Sequence, residues 1–289
     1  MTYLLLSIAA SSWILVIFKL FTKYKIDTLQ AIIVNYIVAC TSGLIAYSRP
    51  INSIDITDFS WFYGTIILGI IFIIVFNLMA ITTQKNGLSV AAVASKMSVA
   101  IPVVFGIIVY KESTHIFKIT GIIIALIAVY MTSMKTDNGI SIKKVHLIYP
   151  LLVFLGGGII DTSLKFMETK YVAKMDVPIF SATIFGFAAL IGICIVFYKI
   201  RTGTFKITLK NIIAGICLGI PNYFSIYFLI QALRNKNLDS STVFIINNVA
   251  ILLVSTIIGI LFFKEKLILK NWIGIILAII SIVLVTFSI

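Results

Sequence analysis

"YKESTHIFKITGIIIALIAVYMTS", residues 110–133, returns later in the chain as "FKEKLILKNWIGIILAIISIVLVTFS", residues 263–288. At an offset of 153 residues, Lys111 and Glu112 fall on Lys264 and Glu265, and Gly121 falls on Gly274. Ile122, Ile123, Ala125 and Ile127 also meet identical residues in the second copy. Each copy reads as a Lys-Glu pair, a polar gap and a Gly-led apolar helix. Two Ile-rich helices can align through composition alone, but a charged pair and a glycine at the same spacing point to a repeat.

Outward from these copies the chain divides into apolar runs. A membrane-spanning helix needs about 20 mainly apolar residues. Ten such runs are present, at 2–22, 29–48, 60–83, 88–110, 116–134, 146–168, 178–199, 211–233, 240–263 and 269–288. The joining stretches are short and polar, such as "RPINSIDITD" and "KTDNGISIKK". The offset lays span 5 on span 10, so each half holds five spans, and the halves are 1–138 and 139–289. Five is odd, so the second half enters the bilayer from the opposite side. The expectation is an all-α membrane protein: ten transmembrane helices arranged as two inverted five-helix repeats, a plan common among secondary transporters.

Composition agrees with a membrane setting. Hydrophobic residues make up 61% and charged residues 11% of the chain, too little charge to cover a soluble protein of 289 residues. The net charge of +13 is scattered through short loops rather than gathered in a stripe, which excludes a nucleic-acid partner and makes the lipid bilayer the partner. The first span lacks a basic segment before it and a small-residue cleavage site after it, so it reads as a retained span. Setting aside Lys19, Lys96 and Lys165 inside spans, odd-numbered loops hold 13 of the remaining 20 basic residues, and by the positive-inside rule these loops are cytoplasmic. Cys40, Cys194 and Cys217 lie in apolar runs with no CxxC pair, and read as buried small hydrophobes rather than disulfides or metal ligands. His115 and His146 fall in loops with ordinary surface roles.

The Lys-Glu pairs with "GIII" and "GIIL" after them, together with "NYIVA" at 35–39 and "SKMSVAIPV" at 95–103, resemble EamA-type members of the drug/metabolite transporter superfamily. The resemblance covers essentially the whole chain. It implies a transporter of small metabolites, often an exporter, in a bacterial plasma (inner) membrane, with a central cavity lined by both halves. It also implies cytoplasmic termini, opposite to the orientation the basic residues give.

Polar side chains at membrane depth are costly, and each needs a reason. Lys96 lies about nine residues into span 4, roughly 13 Å at helical rise, too deep to reach a head group easily. It reads as a cation facing a wet cavity or as half of a structural ion pair. Asp161 is the acid well inside a span, four residues before Lys165 and on the same helix face. Either the two form a local pair, or Asp161 titrates and couples transport to protons. Lys19 and Lys165 lie near span ends, where snorkelling accounts for them. Asn35, Asn77, Asn222, Tyr223, Asn247 and Asn248 are further polar residues at depth, able to bind substrate or to bond helices together. Pro102 and Pro221 each remove a backbone donor and are candidate hinges in spans 4 and 8. Glu112 and Glu265 stand at membrane edges, where a helix N-terminus favours an acid. The triple glycine 156–158 permits close helix approach; no strand or GK[ST] accompanies it, so it is no phosphate cradle.

Four readings remain in view, one of them a passive subunit of a larger complex. A secondary transporter of small anionic or zwitterionic solutes would alternate access by rocking two halves about a mid-membrane site, driven by an ion or substrate gradient and needing no cofactor. A flippase for a polyprenyl-linked sugar or lipid would keep the fold and change the cargo. An intramembrane enzyme would need paired catalytic groups at depth. Apart from His146 at the very edge of the sixth run, the spans hold no histidine, and they hold no GxGD, GxSG or metal-spaced cluster, so the reading is of a transporter rather than an enzyme.

Overall fold

The computed structural model describes residues 1–47, 56–86, 88–112, 114–132, 148–203, 207–235, 238–263 and 267–287. Among them the α-helices are α1 (Thr2–Tyr24), α2 (Thr28–Ala46), α3 (Phe62–Asn86), α4 (Leu88–Met97), α5 (Ala100–Val109), α6 (Ile116–Thr132), α7 (Ile148–Lys170), α8 (Val177–Arg201), α9 (Leu209–Leu233), α10 (Ser240–Phe263) and α11 (Leu269–Thr286). Eight of these helices are long and apolar enough to cross a membrane, and two shorter apolar stretches, Val93–Val109 and Ile116–Met131, fill the other two expected positions. Helices dominate because backbone in hydrocarbon must satisfy its own hydrogen bonds. The chain is an integral, multi-pass membrane protein. Its outward faces carry exposed Ile, Leu, Phe and Val side chains suited to lipid tails.

The expected fourth span is two helices rather than one. Pro102 supplies no N–H, and the ladder is broken just before it: Ser98 and Val99 form a turn between α4 and α5. Ile101 N donates to Ser98 O at 3.0 Å, a tighter connection than the helical one. Pro221 behaves otherwise, since α9 runs unbroken through it.

Helices of the two halves interleave. α1 and α2 pack on α9, α2 on α8, α3 on α7 and α8, and α6 on α11. Exchanging each span for its counterpart five places on converts the α2–α9 contact into α8–α3, and α1–α9 into α7–α3; both members of each pair are present. Small residues make the close approaches possible. A Cβ on Gly219 would lie 2.6 Å from Val38 Cβ and 2.8 Å from Asn35 O, and one on Gly215 would lie 2.7 Å from Ala31 O. The GxxxG spacing 215–219 thus seats α9 on α2. The repeated Gly-led helices meet each other: Ser281 Oγ donates to Gly121 O at 2.8 Å, and a Cβ on Gly121 would lie 2.6 Å from Val285 Cγ2.

The triple glycine performs the expected packing role. Added Cβ atoms on Gly156, Gly157 and Gly158 would meet Val75 at 2.4 Å, Ser98 Oγ at 2.9 Å and Ile101 Cδ1 at 2.3 Å. So α7 lies directly on α3 and on the turn between α4 and α5. The cysteines are unpaired, but the expectation of burial is corrected: Cys194 and Cys217 lie on the exposed outer surface, where hydrocarbon accommodates a thiol as readily as a core does, and Cys40 is half-buried.

Candidate functional site

Lys96 occupies the last turn of α4, immediately before the break. A cation is favoured there by the negative end of the helix dipole. Eight residues of helix separate it from Leu88, about 12 Å of rise. Asp161 lies 13 residues into α7 and Asn248 eight into α10, or roughly 20 Å and 12 Å from the start of each helix. The three therefore reach the middle of the bundle from three helices and two halves. Lys96 Nζ donates to Asn248 Oδ1 at 3.3 Å, and Lys96 and Asp161 lie within electrostatic reach of each other. Asn248 Nδ2 is spent on its own helix, donating to Phe244 O at 3.0 Å. Next in sequence to Asp161 and Asn248, Thr162 Oγ1 and Asn247 Oδ1 are buried with no hydrogen-bond partner among the described residues. A buried polar atom left unmatched costs about 1–3 kcal/mol, so such atoms mark places where a ligand or water would be held.

The other candidate residues are placed differently. Asn222 Nδ2 donates to Asn35 Oδ1 at 3.0 Å, and Asn211 Nδ2 donates to Gln30 Oε1 at 2.6 Å, so these amides tie α9 to α2. Tyr223 is fully buried, stacked on Tyr227, and its hydroxyl has no partner among the described residues. Asn77 Nδ2 donates to Ile73 O on its own helix at 2.7 Å. Pro102 lies beside the break and Pro221 within continuous helix.

Two expectations for Lys165 are corrected. It neither pairs with Asp161 nor snorkels. Its Nζ donates to Glu168 Oε2 at 3.0 Å and to Leu233 O at 3.0 Å, because a buried carboxylate one turn on and the carbonyl end of α9 lie nearer. Arg234 Nε pairs with Glu168 Oε1 at 3.2 Å, and its Nη2 donates to Val172 O. Glu168, Arg234, Lys118 and Asp239 were not among the residues singled out from sequence. Each lies at a span end, where charge is ordinary, and only the packing of distant segments reveals that Lys118 is fully buried and Glu168 nearly so.

Glu112 serves a helix N-terminus, as an acid at that edge suggests, but the helix belongs to the other half. Its Oε1 accepts from Ser240 N at 2.9 Å and its Oε2 from Ser241 N at 3.1 Å, and both serine hydroxyls donate to it as well. Lys118 Nζ stands 3.5 Å from Glu112 and 2.5 Å from Asp239. Lys111 takes a left-handed conformation, φ 52°, at the end of α5, and this reversal folds the Glu112 carboxylate over Gly106. Glu265 and His146 lie outside the described residues. His115 is exposed.

A cavity of about 850 Å³ opens where α5, α7 and α9 end and α1 and α10 begin. Glu112, Lys165, Glu168, Arg234 and Asp239 line it; Lys96, Asp161 and Asn248 do not. α7 connects the two regions, since Asp161, Lys165 and Glu168 follow one another at i, i+4 and i+7 along one face.

Comparison with known proteins finds a family resemblance over the second part of the chain. Residues 148–287 match the EamA-like transporter family. An uncharacterized protein of Haemophilus influenzae (strain ATCC 51907 / DSM 11121 / KW20 / Rd) is 28% identical over 278 residues, covering 94% of this chain and 93% of that protein. A solved crystal structure shares the fold with a TM-score of 0.79 at 12% identity, covering 99% of this chain and 96% of its own.

Proposed function

From the match of residues 148–287 to the EamA-like transporter family, we propose that the chain is a secondary transporter of small organic solutes, anionic or zwitterionic, working in the direction of export from a bacterial cell across its plasma membrane. The observation that carries this reading is the cluster of Lys96, Asn248 and Asp161 at mid-membrane depth, drawn from helices of both halves and set at a helix break. A carboxylate on the substrate would displace Asn248 from Lys96, and an ammonium would meet Asp161. Paired charges across the cluster leave room for protons as the coupling ion, with Asp161 as carrier.

The architecture we propose is the inverted repeat, 1–138 and 139–289, supported by the exchange symmetry of the helix contacts and by five spans on each side. Interleaving favours moving bodies that mix the halves. One buried apolar cluster joins α2, α3, α7 and α8, and another joins α1, α5, α6, α10 and α11, with α9 touching both. Rocking of these bodies about the break beside Lys96 would open the site to each side in turn.

The test begins with uptake and efflux profiles of strains with and without the protein, which identify the solute. Lys96→Ala, in protein shown to insert normally, is then expected to reduce transport about tenfold or more, the worth of one lost charge-assisted contact. Undiminished transport by Lys96→Ala removes this cluster from the mechanism.

A further inference from the structure

We propose that the cavity at the mouth of the bundle is a second ligand station, where Lys165 and Arg234 receive the carboxylate of a small organic anion before it passes to the mid-membrane cluster; the proposal rests on the transporter reading.

Charge is the first argument. Lys165 and Arg234 share the single carboxylate of Glu168, at 3.0 Å and 3.2 Å, so the three side chains sum to +1. Their side chains are 15%, 19% and 7% exposed. An excess cation so poorly hydrated is costly unless an anion balances it. Glu112 and the more exposed Asp239, the other carboxylates on the cavity wall, share Lys118 and sum with it to −1, and Glu112 also accepts from four donors at the start of α10; Lys174, on the same wall, keeps the surroundings of the cavity at a net +1.

Anchorage is the second. Lys165 donates to Leu233 O, the last carbonyl of α9, and Arg234 donates to Val172 O just beyond the end of α7. Both cations are thus held at negative helix ends, whatever Glu168 does. An incoming carboxylate can replace Glu168 without the cations losing their seats.

Space and direction complete the case. The three side chains line the same cavity of about 850 Å³, within the range of small-ligand sites. Asp161 stands on the same face of α7, one turn deeper than Lys165, and Lys96 lies within its electrostatic reach, so α7 links the station to the mid-membrane cluster.

The test reads local charge without needing the substrate or any transport. In the full-length protein with Cys40, Cys194 and Cys217 replaced, Tyr3→Cys places a thiol on the exposed lining of the cavity. Labelling rates are compared for two methanethiosulfonate reagents, the anionic ethylsulfonate and the cationic ethyltrimethylammonium, in nanodiscs of neutral phosphatidylcholine. The expected result is faster labelling by the anion, relative to the ratio for a free thiol. Arg234→Gln is expected to lower the anionic rate about fivefold and raise the cationic one, while Arg234→Lys restores the anionic rate. Lys165→Gln, a second variant, has the same expected direction. Acetate is expected to slow the anionic reagent more than chloride does at equal ionic strength. Equal rates for the two reagents, or a preference that survives both Arg234→Gln and Lys165→Gln, overturn the station. Loss of acetate protection on adding phosphatidylglycerol assigns the site to a lipid phosphate and overturns the claim for a solute. Charge preference in a protein that transports nothing would end the transporter reading and leave the station standing. Transport through Lys96 without charge preference would end the station alone.

Discussion

Replacing Glu112 with alanine should destabilise the protein heavily, although Glu112 lies at a membrane edge and on a loop. The carboxylate is 7% exposed and accepts from two backbone N–H groups and two hydroxyls at the start of α10. It also stands 3.5 Å from Lys118, which is fully buried. Losing a side-chain cap costs about 0.5–2 kcal/mol. Removing one partner of a buried ion pair costs about 3–5 kcal/mol. Lys118 keeps Asp239 at 2.5 Å, so the lower part of that range applies. The combined loss is about 4 kcal/mol, which lowers the melting temperature by roughly 8–16 °C for a chain of this size. Glu112→Gln retains one acceptor oxygen and should lose about half as much. The assay is thermal unfolding of detergent-purified protein, followed by the fraction remaining monodisperse after heating. A Glu112→Ala protein melting within about 2 °C of the parent would refute the reasoning, because it would mean that the start of α10 and Lys118 find other partners at no cost.

Packing and helix bonding give two further expectations. Gly219→Ala should destabilise by about 1–3 kcal/mol, since its Cβ would stand 2.8 Å from backbone oxygen Asn35 O, which cannot move aside as a side-chain tip can; the same melting assay checks it. A double-mutant cycle on Asn35→Ala and Asn222→Ala should give a coupling energy of about 0.6–1.7 kcal/mol in unfolding free energy, the range found for interhelical hydrogen bonds in membranes; additive losses would show that the 3.0 Å contact contributes nothing.

Much of the fold was readable from sequence because hydrocarbon demands long apolar runs and short polar links. Every expected span coincides with a helix or with the α4–α5 pair, and Pro102 announced the break in advance. The packing role of the triple glycine was also legible, since a residue without a side chain inside a span has few other uses. Facing direction was not. Lipid tails are as apolar as a protein core, so span residues carry no inside–outside contrast, and Cys194 and Cys217 turned out to face outward. Partners at long range were equally hidden. Lys165 has Asp161 four residues before it, yet bonds to Glu168 and to Leu233, 68 positions away. Glu112 reaches Ser240 across 128 positions. Spacing along one helix can name a neighbour, but only assembly decides which neighbour wins.

The interleaving of α1, α2 and α3 with α7, α8 and α9 bears on how the molecule can be taken apart. Severed between α6 and α7 and co-expressed as two polypeptides, the pieces would each present unmatched glycine seats and amides, Gly215 and Asn222 on one, Val34, Val38 and Asn35 on the other. Such fragments should recognise each other in the bilayer and reconstitute the whole, much as two hands clasp finger between finger, and a chromosomal break at that point would leave a bipartite but working protein.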